Sequence, residues 1–360
     1  MTRPARALID LQALRHNLSL AREAASGAKV MAVVKANAYG HGLLSAARAL
    51  DQADAFGVAR LAEGLALRTA GTKAPVVLLS GVESGGDLEE ARRRRLDIVV
   101  HSEHQIAMLE AAPPGPRLKA WLKLDTGMHR LGFPPALLER NYARLSKCDA
   151  VVDSVVLMTH LADADVVKSR RVGEQLRLFE AVTRGTSAER SIANSGGLLA
   201  WEDARADWVR PGIMLYGISP FAGATGADHG LLSAMTVETR LIAVNRAESG
   251  DRIGYGGSYT CDDPMRIGVA AIGYGDGYPR HAPSGTPVLV EGVRCPLAGR
   301  VSMDLITIDL RPNVEAKVGD RVVLWGEGLP AEEVAAHAGT IAYELVCRLA
   351  PRVVYVELDP

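Results

Sequence analysis

Up to about residue 230 the chain alternates between two hydrophobic periods. Short apolar runs at 30–35, 55–59, 76–80, 97–100, 118–124, 155–159, 191–194 and 208–210 read as buried strands. Stretches with helical spacing separate them, among them 61–68, 103–110, 137–145 and 168–182. Eight strands with intervening helices predict a (β/α)8 barrel over 11–230 rather than an open doubly wound sheet. The first strand is followed by no Gly-x-Gly-x-x-Gly, which argues against a dinucleotide fold. After residue 231 the texture changes to short β-rich segments at 236–244, 265–272, 287–290, 305–310 and 321–325, separated by Gly, Pro and Asp turns. These predict a second, mostly β domain over 231–360, with a strand from residues 1–10 joining it. At 360 residues two domains are the natural expectation.

A barrel of this kind gathers its chemistry at the C-terminal ends of its strands. Those ends carry Lys35, then Asp125 and Arg130, then His160, then Asn194 and Ser195, then Arg210 with Gly212. Positions far apart in the chain would thus meet at one mouth. Lys35 is the most informative of them. A lysine at a strand end either snorkels to solvent or, partly desolvated, becomes a nucleophilic amine or a base. Its position alone leaves both open. The following Tyr39-Gly40-His41-Gly42 favours the second, because glycines allow close approach of a ligand and Tyr and His supply directed polar groups.

Composition narrows the partners. A net charge of −1 gives no reason to expect nucleic acid or an anionic membrane surface. No apolar stretch reaches the length of a membrane span, and Met1-Thr2-Arg3-Pro4 lacks the apolar core of a signal peptide. Cys148, Cys261, Cys295 and Cys347 have no metal-like or redox-like spacing and read as reduced thiols of a cytoplasmic protein. The basic run Arg92-Arg93-Arg94-Arg95 reads as a solvated helix end.

Several motifs together carry a family resemblance. The run Val34-Lys35-Ala36-Asn37-Ala38-Tyr39-Gly40-His41-Gly42 resembles the pyridoxal-phosphate attachment motif of the alanine racemases. Asp125-Thr126-Gly127-Met128-His129-Arg130-Leu131-Gly132, Met158-Thr159-His160, Asn194-Ser195, Arg210-Pro211-Gly212, Gly254-Tyr255-Gly256 and Gly299-Arg300-Val301-Ser302-Met303-Asp304 are similar to that family in the same order. The resemblance spans essentially the whole chain, and its architecture is a barrel plus a C-terminal β domain.

The resemblance implies interconversion of L- and D-alanine, supplying D-alanine for cell-wall synthesis or handling it in catabolism. It makes Lys35 the cofactor's Schiff-base partner and the base serving D-alanine. Tyr255, donated across a homodimer interface, would serve L-alanine from the opposite face. A free tyrosine ionises near pH 10, so Tyr255 needs cationic neighbours, and His160 and Arg210 match the family's. Arg210 would also face the pyridine nitrogen and, being a very weak acid, leave it largely unprotonated. Tyr39, Asn194, Ser195, Gly212, Ile213 and Tyr343 match cofactor-binding positions. Arg130 and the backbone N–H of a partner copy's Met303 match groups that hold the substrate carboxylate. Lys123 matches a lysine that is carbamylated in some members and braces Arg130. Tyr343, Tyr255 and Tyr274 would narrow the entrance in favour of alanine, with slow turnover of serine expected. No metal is implied.

Other classes fit less well. A cofactor-carrier protein on a similar barrel would lack the β domain. A decarboxylase of this fold would pair the pyridine nitrogen with an acid rather than Arg210. A Schiff-base aldolase would leave Tyr255 and Arg210 idle.

Overall fold

The structure, a computed structural model, describes residues 5–359. The leading Met1-Thr2-Arg3-Pro4, on which the signal-peptide reading rests, and Pro360 lie outside the described residues. After β1 (Arg6–Asp10), eight parallel strands follow: β2 (Lys29–Val33), β3 (Ala55–Val58), β4 (Val76–Leu78), β5 (Asp97–Val100), β6 (Ala120–Lys123), β7 (Val156–Met158), β8 (Arg190–Ser191) and β9 (Trp208–Val209). They pair in chain order and β2 closes on β9, through Lys29 opposite Trp208 and Val30 opposite Val209.

Strand alternation explains both the core and the site. Met31, Ala55, Val77, Val99, Trp121, Val156, Met158 and Trp208 form one buried cluster inside the barrel. Trp121 and Trp208 meet there edge to face, 5.2 Å between ring centroids. The residues between them, such as Val30, Ala32, Phe56, Ile98, Leu122 and Leu157, join the larger core under the helices. Two residues further along the inward-facing register bring Lys35 after Val33, Lys123 after Trp121, His160 after Met158, and Arg210 after Trp208. The period of two holds Lys123 within β6 on that face, and Lys35, His160 and Arg210, just past their strand ends, join it at the mouth.

The remaining strands are β10 (Met235–Ala247), β11 (Arg252–Ile253), β12 (Tyr259–Thr260), β13 (Met265–Ala270), β14 (Pro287–Val290), β15 (Val293–Pro296), β16 (Ile306–Asp309), β17 (Arg321–Trp325) and β18 (Val354–Leu358). One sheet runs β15-β14-β17-β10-β1-β18, and β13 joins it through β10 and carries β16. The long β10 shifts register at Val237/Glu238 and again at Leu241/Ala243, which lets one strand serve β17 and β1 at its start and β13 at its end. The N-terminal strand β1 pairs antiparallel with β10 and parallel with β18.

Several strand ends are shorter than the apolar runs suggested. The run 30–35 ends as a strand at Val33, because the backbone turns sharply at Val34. The run 118–124 gives a strand over Ala120–Lys123, flanked by single bridges from Leu118 to Val151 and from Leu124 to Phe133. The run 191–194 yields only Arg190–Ser191, since Asn194 already caps the next helix through the N–H of Gly197, at 2.9 Å.

Candidate active site

The barrel mouth encloses a cavity of about 590 Å³. Lys35, Tyr39, Lys123, Arg130, His160, Asn194, Ser195, Arg210, Gly212, Ile213 and Tyr343, all singled out from the sequence, line it. Four of these carry positive charge, and among the described residues no carboxylate lines the cavity. Such a lining attracts an anion.

Lys35 begins an unusual piece of backbone. Ala36, Asn37, Ala38 and Tyr39 all have φ between 51° and 55°, a left-handed turn made of L-residues with side chains. Each such residue costs about 1–2 kcal/mol, so the turn persists only because its surroundings hold it. The N–H of Ala38 donates to Val34 O at 2.9 Å, and that of Gly40 to Ala36 O at 3.0 Å. His41 Nδ1 lies 2.9 Å from Tyr39 O and 3.1 Å from Ala38 O, so the ring donates from Nδ1 to both. Gly40, at φ 81°, touches the helix Ala342–Cys347, and a Cβ there would fall 2.1 Å from Val346 O. This contact fastens the turn to the element that carries Tyr343. Burial and the neighbouring Arg130 lower the pKa of the Lys35 amine, and Glu63 opposes them.

Arg210 is 4% exposed, and its two terminal nitrogens are held by hydrogen bonds. Its guanidinium donates to Ser191 Oγ at 2.6 Å, Thr159 O at 2.8 Å and Ile192 O at 3.1 Å, and one nitrogen lies 3.2 Å from His160 Nδ1. Burial brings its pKa down only to about 10, so it stays charged at neutral pH. His160 is held neutral, first by burial and then by Arg210 and Lys123. Since Nδ1 faces a donor that cannot give up its proton, the ring hydrogen resides on Nε2.

Lys123 is 7% exposed, and burial together with Arg210 and Arg130 pulls its pKa down to about 8. Arg130 projects from a loop closed by Asp125 N–H to Phe133 O at 2.9 Å and Phe133 N–H to Lys123 O at 2.8 Å. Asp125 Oδ1 shapes that loop by accepting the N–H groups of Gly127, Met128 and His129, each at 3.0 Å.

On the opposite side of the mouth, Ser195 Oγ accepts from Gly212 N–H at 2.9 Å and from Met214 N–H at 3.4 Å. With its acceptor sites occupied, its own hydroxyl proton is left to donate. Tyr39 stacks on Tyr216 at 4.9 Å, and a Cβ on Gly212 would meet the Tyr39 oxygen at 2.5 Å. Glycine is what lets the phenol lie against that backbone. Burial raises the pKa of Tyr39 and of Tyr343, so both phenols stay protonated donors.

Tyr255 and Met303 stand apart. They are 69% and 54% exposed and line no part of this cavity. Tyr255 sits in a tight turn with Gly254, Gly256 and Gly257 all at positive φ. The Met303 segment is pinned from behind, where Tyr274 N–H donates to Ser302 O at 3.0 Å and Gly275 N–H to Met303 O at 2.8 Å. Tyr274 is also exposed.

Sequence reasoning missed Leu79, Ser80, Ala59 and Cys347 in the lining, and Ser191 and Thr159 behind Arg210. Extending the inward register from Val77 would have found Leu79. Nothing in Ala36-Asn37-Ala38-Tyr39 announces a left-handed turn.

Comparison with known proteins bears on the whole chain. Residues 9–220 match the family model "Alanine racemase, N-terminal domain", and residues 234–357 match "Alanine racemase, C-terminal domain". An alanine racemase of Nitrosococcus oceani is 54% identical over 347 residues, covering 96% of this chain and 97% of the relative. The crystal structure of a biosynthetic alanine racemase from Pseudomonas aeruginosa superposes with a TM-score of 0.96 at 44% identity, over 99% of this chain and 100% of the other. That of an alanine racemase from Bartonella henselae with covalently bound pyridoxal phosphate gives 0.89 at 28% identity, over 99% and 100%.

Proposed function

This chain belongs to the alanine racemase family, pyridoxal-phosphate-dependent isomerases that interconvert L- and D-alanine, and from that premise we propose that Lys35 and Tyr255 of a second copy are its two bases. The observation that carries the proposal is the division between a half-buried amine inside the cavity and an exposed phenol outside it.

The residues present fit the cofactor. Four cations, with no carboxylate lining the cavity among the described residues, suit its phosphate, its phenolate oxygen and the substrate carboxylate. The cradle at Gly212 and the donors Ser195, Tyr39 and Tyr343 suit the phosphate end, with the backbone of Gly212 and Ile213 and the cap Asn194 completing it. Bound there, pyridoxal phosphate makes the Cα–H of an attached amino acid acidic enough to transfer.

Lys35 would hold the cofactor and, as a free amine, would move a proton at Cα on its own face, serving D-alanine. Its lowered pKa keeps a larger share of free amine near neutrality. Tyr255 moves the proton at the opposite face, serving L-alanine. A single base tends to return a proton where it took it, so inversion needs both. His160 offers Nε2–H to the tyrosine oxygen and, with Arg210 fixed behind it, favours the phenolate. Arg210 would also face the pyridine nitrogen and, being a very weak acid, would leave it largely unprotonated. Arg130 holds the substrate carboxylate, assisted by the N–H of Met303 from the partner.

Lys123 is proposed to carry a carbamate. Its Nζ adds to carbon dioxide, forming one N–C bond and releasing one proton to solvent. The resulting anion would brace Arg130 in place of a fourth cation. We place the division of the chain at a strand within 1–10, the barrel over 11–230 and the β domain over 231–360. The protein is proposed to work in the cytoplasm as a homodimer, and among the described residues no helix is long and apolar enough to cross a membrane.

The test is Cα proton exchange in deuterated water by the native protein and by Tyr255→Phe. The variant is expected to lose about two to four orders of magnitude in racemisation while retaining exchange from D-alanine through Lys35. Racemisation of both enantiomers at the native rate would eliminate the two-base assignment.

A further inference from the structure

The mechanism above leaves one well-placed carboxylate without a role. Glu63 lies in the helix Leu61–Thr69, the third residue after Arg60 at its N-terminal cap. Its Oε2 accepts the N–H groups of Ala59 at 2.9 Å and of Arg60 at 3.1 Å, as a capping-box glutamate does. Its Oε1 does something a cap does not require. It accepts the N–H of Ala36 at 2.7 Å, across 27 residues.

We propose that Glu63 is a positioning residue for Lys35, its carboxylate tying the peptide group directly after the lysine to the end of strand β3 and so fixing the direction from which the amine approaches. The proposal rests on the assignment of Lys35 above. Ala36 and Ala59 both line the cavity, so the carboxylate joins two walls of the mouth from behind. Ala36 is also the first residue of the left-handed turn, at φ 53°, where the backbone would otherwise relax. A charge-assisted bond at this point is a strong restraint, because carboxylate acceptors bind N–H groups about twice as tightly as neutral ones.

The same carboxylate shapes the field at the amine. Arg130, Arg210, Lys123 and the half-buried His160 surround Lys35 from the later barrel strands, and Cys347 faces it from the C-terminal helix. Among the described residues Glu63 is the carboxylate that acts most strongly on it, and it favours the ammonium form. Removing its charge therefore moves the lysine titration to lower pH.

The experiment uses protein stripped of cofactor, reloaded with pyridoxal phosphate, trapped with borohydride at a series of pH values and mapped by mass spectrometry. Finding the label on a lysine other than Lys35 would overturn the functional reading itself. With the label on Lys35, Glu63→Gln is expected to attach cofactor roughly tenfold more slowly at the high-pH plateau, with its midpoint shifted down. An unchanged plateau and midpoint, accompanied only by a lower melting temperature, would reduce Glu63 to a helix cap and overturn the proposal. If Glu63→Gln does not fold, Glu63→Asp decides. It keeps the charge but is one carbon too short to span both walls, so the plateau should fall while the midpoint holds. Native behaviour of both would sink the idea.

Discussion

The barrel mouth and the Gly254–Gly257 loop are finished to very different degrees by one copy of the chain. At the mouth, Arg210 has three protein acceptors and His160 beside it, and the turn after Lys35 is held by His41, Glu63 and the helix Ala342–Cys347. At the loop, Tyr255 stands exposed on a turn of glycines, outside the mouth cavity. The contrast shows how the proposed pair of bases can differ so widely. The amine is tuned by burial within its own fold, whereas the phenol is presented on the surface, where a second copy of the chain can meet it.

The largest effect would come from breaking each half separately. Lys35→Ala and Tyr255→Phe should each lose at least about two orders of magnitude in activity, the first also losing the cofactor's absorbance. Mixed after subunit exchange, the two inactive forms should recover about a quarter of native activity, because half of the dimers then hold one intact site. No recovery after verified exchange would mean that the mouth and the loop do not complete one another.

A smaller effect sharpens the mouth's side of the comparison. Lys123 has a folded pKa of about 8 against 10.5 for a free lysine. Between those values the unfolded chain binds a proton that the folded chain does not. Stability should therefore rise with pH over this window, by on the order of 3 kcal/mol in carbon-dioxide-free buffer. Lys123→Met should flatten the rise, whereas bicarbonate, if the carbamate forms, should preserve it and extend it to lower pH, because carbamylation of an ammonium lysine also releases a proton. Denaturant melts across pH, with and without labelled bicarbonate, measure both. A slope that survives in Lys123→Met would assign it to another group.

The smallest effect concerns the Arg130 loop. Asp125→Asn keeps an oxygen for the N–H groups of Gly127, Met128 and His129, so activity should change less than about threefold. Asp125→Ala, which leaves all three donors without that acceptor, should raise the KM for alanine more than it lowers kcat. Equal behaviour of the two variants would show that loop shape does not depend on this acceptor.

Much of this was legible in the chain. The apolar runs and their helical spacers define eight barrel strands. The inward register carries Lys123 to the mouth, because side chains alternate strictly along a strand, and Lys35, His160 and Arg210 join it just past their strand ends. The residue types there already specify an amine, a clamp of guanidinium groups and a set of hydroxyl donors. What the chain by itself did not disclose depends on contacts between distant segments. The left-handed backbone of Ala36–Tyr39 runs against the preference of Ala36, Ala38 and Tyr39, though not of Asn37, and exists because Glu63, His41 and the helix Ala342–Cys347 hold it from three sides. The lowered pKa of Lys123 likewise comes from burial beside Arg210 and Arg130, a neighbourhood assembled by barrel closure. Sequence determined which groups are present and which face of each strand bears them, since those follow from local periodicity. Tertiary structure alone decided their strain, charge and mutual orientation, since those depend on what packs against them.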